Sequence, residues 1–272
     1  MNLSELRKTA SVARSRIILN SYKTGTPHLG SCLSCVDILV ALYFSKLNIN
    51  LEDIRSTKRD RFILSKGHGA AALFQILAMR GFYPDKLLDN YGEDGSIFAE
   101  HPPAPDYLPG IEAATGSLGH GLPIGLGMAL ASRITSEPFH VYVLLGDGEC
   151  NEGSIWEAAN MAAAQRVDNL TVFIDSNKWQ ATDRSEDLLG NSSHVDKWKA
   201  FGWHTDEIEG NDMKEIMKVL SKKPKKGNPT AVVLNTVKGS GVSFMEDDNN
   251  WHYRIPDIDE VKLSFEELGI EL

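Results

Sequence analysis

Hydrophobic and polar positions divide this 272-residue chain into two regimes. In the first part, Ser4 to Tyr22 mixes charged and apolar residues at helical spacing and stops at the Lys23-Thr24-Gly25 breaker. A second helix is predicted from about Ser34 to Phe44, where Val36, Leu39, Val40 and Tyr43 recur on one face. The apolar run Arg61 to Leu64, the turn Ser65-Lys66-Gly67-His68-Gly69 and the stretch Ala70 to Met79 read as strand, glycine turn and helix. Gly92 to Pro109 carries four prolines and little periodicity. It is a loop too long for a simple connector, and such loops inside a compact domain are often functional.

From Val141 the pattern becomes a run of β-α units. Val141 to Leu145 is fully apolar, as a strand buried on both faces should be. A helix over Trp156 to Gln165, a strand over Leu170 to Asp175, a strand over Trp203 to Ile208, a helix near Met213 to Leu220 and a strand over Thr230 to Asn235 follow. Strands separated by helices imply an α/β fold: a parallel sheet with helices on both faces and ligands at the carboxyl ends of its strands. With no repeat, low-complexity tract or convincing linker, residues 1–272 read as a single domain, with a C-terminal tail from about 257.

Composition narrows the function. Lys and Arg number 28 against 37 Asp and Glu, a formal net charge of -9. That balance argues against nucleic acid, whose binding requires clustered positive charge. It leaves room for a small anion held by backbone N–H groups. The run Lys222-Lys223-Pro224-Lys225-Lys226 reads as a solvated loop. Cys32, Cys35 and Cys150 are too few for a disulfide framework. The CxxC pair at Cys32 and Cys35 opens an apolar helix and reads as buried, reduced thiols rather than a redox or zinc site. No signal peptide and no apolar stretch near the ~20 residues of a membrane span is seen, so a cytoplasmic protein is expected.

The strongest chemical signal is Gly146-Asp147-Gly148-Glu149 directly after one buried strand, with Asn177 directly after the next. In a parallel sheet those strand ends would be neighbours. Asp147, the Asn177 amide and the Trp179 carbonyl would then converge on a hard cation such as Mg²⁺ or Ca²⁺, with phosphate oxygens and water completing the shell. The glycines let backbone approach a diphosphate closely. A plain Gly-Asp-Gly turn with an unrelated Asn is the alternative; the placement of both at strand ends favours the metal. Neither a P-loop nor a Gly-x-Gly-x-x-Gly fingerprint is present.

Together with Glu152-Gly153 and Glu157-Ala158, these residues resemble the signature of thiamine-diphosphate enzymes. The surrounding sequence resembles the N-terminal half of the transketolase family. Gly25-Thr26-Pro27-His28-Leu29-Gly30-Ser31, Leu64-Ser65-Lys66-Gly67-His68 and Glu100-His101-Pro102 are similar to its three histidine loops. Ala114-Thr115-Gly116-Ser117-Leu118-Gly119-His120-Gly121 is similar to its glycine-rich cofactor loop. Later segments, Ala200 to His204 and Asn235 to Val242 continuing to Trp251-His252, follow in the family's order. The resemblance covers about Val12 to Pro256 and implies the thiamine-diphosphate-binding (PP-type) fold.

It also implies roles. Asp147, Asn177 and the Trp179 carbonyl would hold the metal. Ser31, His68, Gly116, Ser117, Leu118, Gly146, Gly148, Glu149, Asn177 and Lys238 would meet thiamine diphosphate. His28, His68, His101 and His252 would line the substrate channel, where imidazoles suit proton transfer near neutral pH. His252 is the weakest of these, since it sits in what reads as a polar tail, and His120, where the family usually has Gln, receives no role. Glu152 and Glu157 match glutamates near the family's subunit interface, with helix N-terminal carboxylates as the alternative reading.

Transketolases continue for several hundred residues past the matched region. That further part binds the aminopyrimidine, supplies the glutamate that activates the cofactor and clamps the sugar phosphate. The chain is therefore expected to be the N-terminal subunit of a split transketolase, active with a separate pyrimidine-binding C-terminal subunit. The expected assembly has two copies of each chain and acts on ketose and aldose sugars or their phosphates. Weighed against this are the α-subunit of a 2-oxo acid dehydrogenase, a deoxyxylulose-phosphate synthase and a non-catalytic cofactor-binding module. The histidine set speaks against the dehydrogenase, the sequence after Gly148 and the third histidine loop against the synthase, and the intact metal residues with all four histidines against the module.

Overall fold

A computed structural model describes residues 1–190 and 192–272. Five strands, β1 (Arg61–Leu64), β2 (Val141–Gly146), β3 (Leu170–Ser176), β4 (His204–Glu209) and β5 (Thr230–Asn235), form one sheet of order β1-β2-β3-β5-β4. Every pairing is parallel. Alternate residues of each central strand feed opposite faces. Val141, Val143 and Leu145 enter one core cluster, and Tyr142 and Leu144 enter the other. Val172 and Ile174 divide from Phe173, and Ala231 and Val233 from Val232 and Leu234, in the same way. This explains why these strands read as continuous apolar runs.

Nine of the ten α-helices among the described residues cover the two faces. On one side lie α1 (Leu3–Thr24), α2 (Leu29–Ser34), α3 (Val36–Ala41), α4 (Ala70–Arg80) and, later in the chain, the helices Met213–Leu220 and Ile258–Leu268. On the other lie α5 (Gly121–Ile134), α6 (Gly153–Ala164) and, beyond the short α7 (Ser185–Leu189), α8 (His194–Ala200). The Met213–Leu220 and Ile258–Leu268 helices are α9 and α10.

The structure departs from the sequence pattern at several elements. The predicted helix over 34–44 is broken: α2 ends at Cys35, where φ is -103° and ψ 5°, and α3 runs into a π-turn over Leu42–Lys46. The expected tail from about 257 holds α10, with Val261 and Phe265 buried against α1. Its start carries a capping box, in which Asp257 accepts from the Glu260 N–H and Glu260 reciprocates. Helix α5 was not anticipated because glycines interrupt its pattern. Those glycines allow close packing: a Cβ on Gly125 would lie 2.7 Å from Val143.

The register fixes where chemistry can occur. Gly146 pairs with Asp175, and Ser176 with Asn235, so the carboxyl ends of β2, β3 and β5 finish side by side. Cys32, Cys35 and Cys150 are buried free thiols, and burial raises Cys32 to about 11.

Candidate functional site

Several loops converge at the carboxyl end of the sheet, and a buried ion pair ties four segments together. Lys66 follows β1 and Asp175 closes β3, both with no exposed surface. Lys66 Nζ donates to Asp175 and to the Ser31 carbonyl at 2.9 Å. Asp175 also accepts from the Ser34 hydroxyl at 2.6 Å and from the Thr236 hydroxyl. Burial works against the Lys66 ammonium, but Asp175 beside it outweighs burial and keeps it protonated. The hub therefore ties α2, the β1 turn and the ends of β3 and β5. The sequence pattern by itself assigns neither residue a role. Its available signal was an aspartate closing an apolar strand, since a buried carboxylate must be paired.

A second buried carboxylate, Glu149, fastens the glycine-rich loop. It accepts from the Ser65 hydroxyl, from the Gly119 N–H at 2.9 Å and from the Gly146 N–H at 3.1 Å. Only 2% of Glu149 is exposed, and both its oxygens are engaged by protein donors. The structure thus gives this residue, which the sequence pointed toward the cofactor, the role of a clamp beneath the site. Above the clamp, Gly116 and Ser117 are exposed or nearly so and Leu118 is partly so. Their backbone N–H groups have no acceptor among the described residues. Gly67 lies under this loop, where a Cβ would stand 2.8 Å from Thr115 backbone.

Asp147 projects from the end of β2, 5% exposed. It accepts from the Gly148 N–H at 2.8 Å, the Lys178 N–H at 3.0 Å and the Ser185 hydroxyl at 2.9 Å. It has no cationic partner among the described residues, and burial pushes its carboxyl up to about 6 against the pull of those donors. Asn177 is buried beside it and accepts from the Trp179 N–H at 3.1 Å. The Trp179 carbonyl accepts no hydrogen bond among the described residues. Lys178, between them, takes a left-handed φ of 69°. No group of three His, Cys, Asp or Glu side chains suited to a metal occurs among the described residues. A cation here would rest on one carboxylate, one amide and one carbonyl, leaving positions for phosphate oxygens. The uncompensated Asp147 charge fits that use.

Four histidines from four segments meet beside this corner. The His28 ring centroid lies 4.9 Å from that of His252, 5.8 Å from His68 and 6.3 Å from His101. His28 has a left-handed φ of 73°, and its N–H donates to the His252 carbonyl at 2.9 Å. Its buried Nδ1 has no partner, while Nε2 is 3.8 Å from a Glu100 oxygen. Burial lowers His28 below its ordinary value despite Glu100, and lowers His68 further, with Lys66 adding to the effect. His252 is lowered to about 3, by burial and then by Lys238. His252 does not sit in a polar tail: Trp251 and His252 are both buried, in a short turn over Asn249–His252.

Lys238 is 1% exposed and donates to Asn249 Oδ1 at 2.6 Å. Its Nζ lies 3.3 Å from His252 Nδ1, and burial, then Lys66, brings it down to about 8. Ser31 lies buried on α2, with its carbonyl held by Lys66. Glu152 and Glu157 are exposed at the start of α6, outside this cluster, and His120 is exposed as well. Gln180 went unnoticed in the sequence. Its buried Nε2 has no partner, and its Cγ would stand 3.0 Å from a Cβ on Gly148.

The family model described as transketolase, thiamine diphosphate binding domain, matches residues 8–272. An apulose-4-phosphate transketolase subunit of Actinobacillus succinogenes is 40% identical over 272 residues, 100% of this chain and 98% of that protein. The 6-deoxy-6-sulfo-D-fructose transketolase subunit SqwG of Clostridium sp. is 39% identical over 243 residues, 89% of this chain and 88% of that protein. The crystal structure of transketolase from Campylobacter jejuni superposes with a TM-score of 0.93 at 27% identity. It covers 100% of this chain, which spans only 44% of that transketolase.

Proposed function

The chain belongs to the transketolase family through its thiamine diphosphate binding domain, and from that premise we propose that it is the diphosphate-binding subunit of a split, Mg²⁺-dependent transketolase. It would act with a separately encoded pyrimidine-binding subunit, two copies of each, in the cytoplasm. The reaction is transfer of a two-carbon ketol unit from a ketose or its phosphate to an aldose acceptor. Relatives named as transketolase subunits, matched over nearly their whole length, support the split arrangement. The observation that carries the catalytic reading is the convergence of His28, His68, His101 and His252 beside Asp147.

In this reading Asp147, Asn177 and the Trp179 carbonyl hold Mg²⁺ (or Ca²⁺), which supplies the charge that Asp147 lacks. The free N–H groups of Gly116, Ser117 and Leu118, the backbone of Gly146 and Gly148, and Lys238 receive the diphosphate, with Ser31 and His68 beside the cofactor. Bound thiamine diphosphate supplies the electron sink for breaking a carbon–carbon bond next to a carbonyl. The chain's own part is proton traffic. His28 and His68 are held neutral by burial, so a ring nitrogen is free to take a proton from a sugar hydroxyl and return it. Glu100 stands close enough to His28 to stabilise the imidazolium that forms.

Two experiments test this. Asp147→Ala should abolish calorimetric binding of thiamine diphosphate with Mg²⁺ while the circular dichroism of the fold is retained; unchanged affinity would remove Asp147 from the metal. Co-purification with a pyrimidine-binding chain, followed by assays over a panel of ketose donors and aldose acceptors, should yield ketoses two carbons longer than the acceptor and aldoses two carbons shorter than the donor. Decarboxylation of a 2-oxo acid instead would favour the dehydrogenase α-subunit, and cofactor binding without turnover would favour a non-catalytic module.

A further inference from the structure

At the amino end of the sheet, away from the histidines, lies a second cavity of about 380 Å³. Its wall is built where the strands begin, from His140 just before β2, Tyr142 on β2, Thr171 on β3, His204 on β4 and Thr230 on β5. Strands of this length separate it from the carboxyl-end site by roughly 20 Å. The run Lys222-Lys223-Pro224-Lys225, expected to be a solvated loop, forms one rim, and Lys46 from the π-turn after α3 forms another. Four lysines thus face the cavity with a single acid, Asp206. In a chain of net charge -9, positive charge has been gathered into one concavity.

The disposition of these charges favours a small anion. Lys46 Nζ donates to the Leu220 carbonyl at 2.7 Å, which fixes its direction, and it has no carboxylate partner among the described residues. Lys222 is the one lysine neutralised, by Asp206 at 2.6 Å. Lys223 and Lys225 have no ion-pair or hydrogen-bond partner among the described residues. Three ammonium groups remain to be balanced, each with donors to spare. The Tyr142 hydroxyl, also without a protein partner among the described residues, is kept protonated by burial and so remains a donor. A long polyanion would meet an acidic chain beyond this rim, whereas one phosphate group inside it, with about -1.5 to -2 charge and several acceptor oxygens, can accept from all three ammonium groups and offset most of their charge.

We propose that this cavity binds a phosphate group, free or as a small phosphate ester, at a site remote from thiamine diphosphate. The site stands on its own geometry and does not depend on the transketolase reading.

Calorimetric titration with inorganic phosphate and, separately, with glycerol phosphate is the test, and the ratio of the two affinities tells free phosphate from an ester. Saturable binding is expected, weakened at least about tenfold, or ~1.4 kcal/mol, in the Lys46→Gln/Lys223→Gln/Lys225→Gln variant. It should be kept in Lys238→Gln, whose lysine faces the other end of the sheet. Asp206→Asn removes the only acid and should tighten binding, a reading that survives even if the triple variant misfolds. Absence of saturable binding, or binding lost in Lys238→Gln and kept in the triple variant, would overturn the proposal.

Discussion

Two buried polar assemblies lie side by side at the carboxyl end of the sheet, and they differ in how fully their hydrogen-bonding capacity is used. In the hub of Lys66 and Asp175, the carboxylate accepts from an ammonium and two hydroxyls, and the ammonium has a carbonyl besides. In the histidine cluster, the side chains of His68 and His101 make no hydrogen bond among the described residues, and His28 Nδ1 is buried without a partner. A saturated network has nothing left to offer a ligand and acts as scaffold. An unsaturated one, left so in a folded interior at a cost, keeps its valences for something else. The same contrast separates the two buried carboxylates of the β2 turn: Glu149 is consumed by loop donors, while Asp147 still lacks a countercharge.

That contrast fails if the hub proves dispensable. Asp175→Ala leaves the buried Lys66 ammonium unpaired and should cost about 3–5 kcal/mol of stability. Denaturant unfolding would measure it, and a loss well under ~1 kcal/mol would show that the hub does not hold these loops. Removing both charges, as Lys66→Met with Asp175→Leu, should recover much of that loss.

The histidine cluster should behave in the opposite sense. His28→Ala and His101→Ala should lower ketol transfer by about 10²–10⁴ with little change in melting temperature. A variant that simply unfolds would return that histidine to the scaffold, and one that keeps full activity would remove it from the reaction.

The smallest effects are in pH dependence, where the two sides have opposite signs. His252, lowered to about 3, contributes stability that is present above the unfolded value near 6.5 and is lost as pH falls through its folded value. Asp147, raised to about 6 from 3.8, contributes stability present below 3.8 and lost as pH rises through 6. Stability of the cation-free chain measured from about pH 7 to about pH 5 should therefore rise in the wild type relative to Asp147→Asn, and Mg²⁺ with cofactor should erase that difference. Because His28 is also lowered, the acid limb of kcat/KM should fall below pH 6.5. An acid limb above about pH 7 would contradict a neutral imidazole as the base.

The strands were legible because burial on both faces leaves an unbroken apolar run, as in Val141 to Leu145. The metal corner was legible because Asp147 and Asn177 each directly follow such a strand. What escaped depends on contacts distant in sequence. Asp175 looks like a strand end until Lys66, 109 residues away, is set against it. His252 looked peripheral because its neighbours are polar, yet the chain folds back to place it against His28. Helix α5 escaped because its glycines weaken a helical pattern for the sake of packing that only the folded sheet reveals. The capping residues Asp257 and Glu260, by contrast, were readable and marked a helix where a tail was expected.

In the proposed reading, this chain carries a chemically poised but incomplete site. The decisive measurement is steady-state ketol transfer as the purified chain is titrated with its pyrimidine-binding partner at saturating thiamine diphosphate and Mg²⁺. Neither chain alone should turn over, and activity should saturate near one partner per chain. Sustained turnover by this chain alone, undiminished after extensive purification, would refute the split-site reading.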